Sequence, residues 1–125
     1  MVKVTDEEFE QIVREAIDAI PEKYGKRIDN LAFVVEDEPN ENQRQKLKLH
    51  PHATLFGLYE GIPLTRRPSG YNLVLPDKIT IFRHPAQLAS NSMKELKKHV
   101  RHTIWHEVAH YYGLGHEQID NLEKA

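Results

Sequence analysis

Residues 92–116 read SMKELKKHVRHTIWHEVAHYYGLGH, and the parsing of this stretch decides the fold. Ser92 with Glu95 three residues on has the form of a capping box, in which side chains satisfy the first free N–H groups of a helix. Met93, Leu96, Val100, Ile104 and Val108 then recur at helical spacing down one side. Gly113 stands where a left-handed C-terminal cap falls. The stretch therefore predicts a helix from about residue 93 to 112.

The end of that helix reads His106-Glu107-Val108-Ala109-His110-Tyr111-Tyr112-Gly113-Leu114-Gly115-His116, the pattern H-E-x-x-H-x-x-G-x-x-H. Residues four apart lie one turn above each other on the same helix face. The imidazoles of His106 and His110 can therefore converge on one ion, at the roughly 2.0–2.1 Å typical of zinc. Glu107 is rotated about 100° from His106. That puts it beside the metal, free to take a proton from an activated water without being a ligand. A third ligand must leave the helix axis, and Gly113 permits this because glycine adopts positive φ without steric cost. His116 then closes a three-histidine site with one position left open, the arrangement of catalytic zinc. His102, one turn before His106, reads as a supporting or structural residue, because three histidines in a row cannot all reach one tetrahedral ion. His99 reads as solvent-facing, and His50, His52 and His84 receive no role.

Working outward, Thr5 and Glu8 form a second capping box, and Val4 can staple against Phe9. Phe9, Ile12, Val13, Ala16, Ile17 and Ile20 share one helical face, and Pro21 ends it. Leu31 to Glu36 and Lys78 to Arg83 read as buried strands, being short, β-branched and aromatic. Thr54 to Tyr59 reads as a third. Asp37 to about Lys48 is polar, a loop or a short helical turn. Residues 62 to 78 hold Pro63, Pro68, Gly70 and Pro76 and read as an extended loop, with a short extended piece at Tyr71 to Leu75. The order of elements predicts an α+β fold, one domain over residues 1–125 in which two helices pack on one small mixed sheet.

The composition narrows the chemistry. The 125 residues include no cysteine, which excludes disulfides and every thiolate metal site, so that any metal is held by His, Asp or Glu. A formal net charge of −2 gives no general attraction to nucleic acid or acidic lipid. The cationic run from Lys94 to Arg101 interleaves with the apolar stripe and reads as a solvated helix face. No apolar run approaches the ~18 residues of a membrane span. The N-terminus has no apolar segment of the secretory kind, so the expected location is cytoplasmic, with neither nucleic acid nor membrane as partner.

Further motifs carry a family resemblance. Leu55-Phe56-Gly57-Leu58-Tyr59-Glu60-Gly61-Ile62-Pro63-Leu64, Leu75-Pro76-Asp77-Lys78-Ile79-Thr80-Ile81 and the run from Arg101 to Gly113 resemble the small bacterial zincin-like metallopeptidases, or mini-zincins. The resemblance covers more than half the chain. It implies a minimal zincin-like domain and a zinc peptidase activity, with His106 and His110 as helical ligands and Glu107 as general base. Many members carry aspartate at the position of His116, so the ligand set here looks like that of a metzincin. No methionine follows the motif, so the methionine turn of metzincins is missing.

The expected activity is hydrolysis of peptide or unstructured protein. The alternatives are a catalytically idle zincin-like metal-binding domain and a zinc endoribonuclease, which shares the H-x3-H-x5-H spacing. Glu107 disfavours the nuclease, because nucleases of that type have glycine after the first histidine. A developing oxyanion needs a donor beside the metal. Tyr71, Tyr111 and Tyr112 are the residues considered for it. Asp120 is considered as a second-layer partner that orients a ligand imidazole. An extended substrate is expected to add to a sheet edge, and Thr54 to Tyr59 is the expected edge.

Overall fold

The computed structural model describes residues 1–25, 28, 30–48, 55–61 and 76–113. Its first helix, α1, spans Asp6–Asp18. The Thr5 side chain accepts from the Glu8 N–H, and the Glu8 carboxylate accepts from the Thr5 N–H, at 3.1 and 2.9 Å. These bonds hold the Glu8 carboxyl below its ordinary range, the backbone bond most strongly. A short turn of helix, α2, follows at Glu22–Gly25.

Strand β1 covers Leu31–Glu36. The polar stretch after it contains a short helix, α3, at Glu41–Lys46, capped reciprocally by Asn40 and Gln43. Strand β2 covers Gly57–Glu60, shifted towards the C-terminus from its expected span. Thr54 lies outside the described residues. Strand β3 runs Asp77–Phe82. Arg83 does not extend it, because a helix, α4, begins there and runs to Leu88. Pro85 falls in the first turn of α4, where its missing N–H costs no helical hydrogen bond.

The sheet order is β1-β3-β2, with β1 parallel and β2 antiparallel to the central strand. This is the expected mixed sheet of an α+β fold. The long helix α5 spans Met93–Tyr111. Ser92 accepts from the Glu95 N–H, but the Glu95 carboxylate returns to the N–H of Asn91, one residue before the expected partner. Tyr112 is the C-cap, and Gly113 takes the left-handed φ of 81°.

One face of the sheet carries the core. Ile79 and Ile81 of β3 meet Phe9, Ile12, Val13 and Ala16 of α1 and Leu96, Val100, Ile104 and Val108 of α5. Burying each large aliphatic side chain contributes about 1.5–3 kcal/mol, so α5 is anchored along most of its length. Lys94, Lys97, Lys98 and Arg101 occupy its exposed side, as a solvated face should. No helix among the described residues is long and apolar enough to cross a membrane.

Candidate metal centre

The apolar stripe that anchors α5 also aims its C-terminal half. With Ile104 and Val108 fixed in the core, His106 and His110, four residues apart, share another face of the helix, and His106 stands beside Phe56 and Gly57. Their rings sit edge to face, with centroids 4.8 Å apart. One ligand atom from each of His106, Glu107 and His110 lies within 4.8 Å of the others. Two ligands on one tetrahedral zinc lie about 3.3 Å apart, so the cluster is of the size that one ion spans. Nitrogen and carboxylate donors suit zinc. The residues present therefore fit the metal that the sequence pattern calls for.

Glu107 differs from the histidines in burial, being only 9% exposed. Its Oε1 accepts from the backbone N–H of Tyr59 at 2.9 Å, a bond between residues 48 positions apart. Burial raises its pKa, against the opposing pull of His106 and of the Tyr59 bond. With Oε1 engaged, Oε2 is the oxygen left for chemistry.

The close approach of α5 to β2 depends on Gly57. A Cβ built there would stand 2.5 Å from Thr103 Cγ2, 3.1 Å from the Thr80 carbonyl oxygen and 3.4 Å from Glu107 Cγ. Only a residue without a side chain lets the helix settle so low. Next to the cluster, Leu55, Phe56, Gly57, His102, Thr103, His106 and Glu107 line a cavity of about 310 Å³. That is near the lower end of the ~300–1,000 Å³ usual for ligand pockets.

His102 is exposed and lines this cavity, outside the three-residue cluster. His99 is not solvent-facing, which corrects the sequence reading. Ser90 Oγ donates to the Ala86 carbonyl at 2.7 Å and lies 2.8 Å from His99 Nδ1. The hydroxyl has one proton, so His99 Nδ1 is the donor in that contact. The His99 ring stacks on Phe56 at 6.1 Å and 8°, and so steadies one wall of the cavity.

Two tyrosines considered as substrate contacts are placed elsewhere. Tyr111 is fully buried, with its ring edge against Tyr59 and Tyr112. Tyr112 donates its hydroxyl to the Tyr24 carbonyl, beside a Tyr24–Trp105 edge contact. Core packing engages the first and a backbone carbonyl the second. Tyr71, His116 and Asp120 lie outside the described residues.

The sequence reading missed Gly57 and Tyr59. A lone glycine inside a strand pattern is the signal for a close backbone approach, and it was available at Gly57. Residues 28–125 match a family model described as zincin-like metallopeptidase. A search of curated proteins gave no match.

Proposed function

The chain belongs to the zincin-like metallopeptidase family, and from that premise we propose that it is a zinc-dependent peptidase acting on extended segments of peptide or unfolded protein. One observation carries the reading: a buried glutamate lies between two helical histidines, beside a cavity and bonded to the backbone of β2. A binding-only site needs ligands. It does not need a buried carboxylate beside them, held in place by a backbone N–H of the sheet, as a general base must be.

In this reading His106 and His110 hold the ion, and His116 completes the ligand set on the strength of the sequence pattern. Zinc bound there supplies Lewis acidity that polarises the scissile carbonyl and acidifies a water. Glu107 takes the water proton at Oε2 and passes it to the departing amine. The cavity beside His106 receives one substrate side chain, and its lining of Leu55, Phe56 and the Thr103 methyl favours an apolar one. The substrate backbone aligns along the outer side of β2.

The test is zinc analysis of the dialysed protein together with an assay on a denatured protein substrate. One zinc per chain with chelator-sensitive cleavage supports the reading. One zinc without cleavage supports the idle metal-binding domain instead.

A further inference from the structure

Asp77 is a buried acidic residue with no part in the reaction proposed for the metal centre. It is 4% exposed and opens the central strand, where it stands opposite Leu31 of β1. Its N–H donates to the Asn30 carbonyl at 3.0 Å. Its carboxyl atoms lie 2.4–2.7 Å from where a Cβ at residue 61 would stand, so Gly61 leaves it just the room it takes. Burying a carboxyl costs stability unless hydrogen bonds compensate it. One compensating bond comes from Tyr59, whose hydroxyl donates to Asp77 Oδ2 at 2.6 Å.

Tyr59 also carries the backbone N–H that Glu107 Oε1 accepts at 2.9 Å. Bonded and non-bonded pairs alternate along an antiparallel ladder. The Phe82 N–H donates to the Phe56 carbonyl, and the register sets Leu58 opposite Thr80 and Tyr59 opposite Ile79. The ladder bonds to β3 therefore fall on Leu58 and Glu60, and Tyr59 is joined to the central strand through its side chain. That side chain crosses diagonally to Asp77, two residues before Ile79, which is a reach aromatic side chains make. Its ring packs at the same time on Tyr111 of α5. One residue thus links a buried carboxyl of the central strand to the carboxylate beside the two helical histidines.

We propose that Tyr59 and Asp77 are positioning residues for the general base: their side-chain bond fixes the Tyr59 N–H, which holds Glu107 Oε1 and leaves Oε2 for the proton. This rests on the peptidase reading. A backbone bond orients a carboxylate only as well as its donor is itself held. A general base must stand within hydrogen-bond reach of the proton it takes, about 2.6–3.2 Å. Misplacement of about 1 Å can cost about 100-fold in rate. Tyr59 and Asp77 carry no proton in this scheme and act only through Glu107.

The experiment compares the parent, Tyr59→Phe, Asp77→Ala and Asp77→Asn on one peptide substrate, with rates expressed per bound zinc. Tyr59→Phe keeps the ring on Tyr111 and loses the donor. Asp77→Asn keeps an acceptor oxygen for Tyr59, and Asp77→Ala does not. Tyr59→Phe and Asp77→Ala should lower kcat about tenfold, less than loss of the base itself, with KM and zinc affinity unchanged. Asp77→Asn should recover most of that loss. Exchange of the residue 59 amide should be faster in the two slow variants than in the parent. If Asp77→Ala does not fold, Tyr59→Phe combined with Asp77→Asn removes the same bond with smaller changes of volume. With a parent that cleaves, three results overturn the proposal: an unchanged kcat, a KM or zinc affinity that moves in step with kcat, or an asparagine variant as slow as the alanine one. A parent that loads zinc and cleaves nothing refutes the peptidase reading, and the positioning of a base falls with it.

Discussion

Gly57 and Thr103 touch so closely that the β2 backbone and the α5 helix leave no room for a single methyl between them. Any Cβ at residue 57 must push either on the Thr103 methyl or on the carbonyl of Thr80 in the central strand. Gly57→Ala should destabilise the protein by about 1–3 kcal/mol, the usual cost of overpacking. Thr103→Ser removes the methyl and retains the hydroxyl that donates to the His99 carbonyl. In the Gly57→Ala background it should restore part of the loss, and chemical denaturation of the four proteins measures that coupling. Additive effects would mean that the two residues do not meet.

Glu107 gives a pH signature in the metal-free protein. Burial raises its pKa, so the ionised carboxylate opposes folding. In the unfolded chain it titrates near the ordinary value of about 4.3. Below that value both states hold the proton, and parent and Glu107→Gln should be equally stable. As pH rises through the unfolded value and then through the raised folded one, the parent loses stability that the glutamine variant keeps. Urea denaturation at acid and neutral pH checks this. A parent more stable than Glu107→Gln at neutral pH would show that the carboxylate is stabilised where it sits.

These two residues also mark how far the sequence could be read. Helices α1 and α5 were legible because each carries a long apolar stripe and a capped start, and β1 and β3 because each is a compact apolar run. Helix α3 was legible only as one of two alternatives, a loop or a short helical turn, since its one buried side chain is Gln43 and no apolar period exists to decide between them. Helix α4 was hidden because it follows β3 without a break and contains Pro85. His106, Glu107 and His110 could be grouped from spacing alone, because one helix sets their geometry. The Tyr59–Glu107 bond joins two elements, and local spacing carries no information about such a contact. The same holds for His99, whose place is set by Ser90 and Phe56 rather than by its own helix.

The third ligand is expected from sequence to be His116. His116→Asp should keep the zinc site, because aspartate oxygen and imidazole nitrogen both ligate at about 2.0–2.2 Å. His116→Ala should weaken zinc binding severely, since two protein ligands are too few for the usual catalytic set. Titration against a competing chelator separates the two. If the alanine variant matched the parent, Glu117 and Asp120 would become the ligands to examine.

The most direct test of the central claim is the rate of peptide hydrolysis by zinc-loaded Glu107→Gln beside the zinc-loaded parent, with zinc content measured in the same samples. Glutamine keeps the shape and an acceptor oxygen but cannot take a proton. The account expects full zinc occupancy in both proteins and a loss of at least about 100-fold in rate for the variant, the scale of a missing general base. Equal rates in the two zinc-loaded proteins would contradict it, and so would loss of zinc from the variant, which would make Glu107 a ligand.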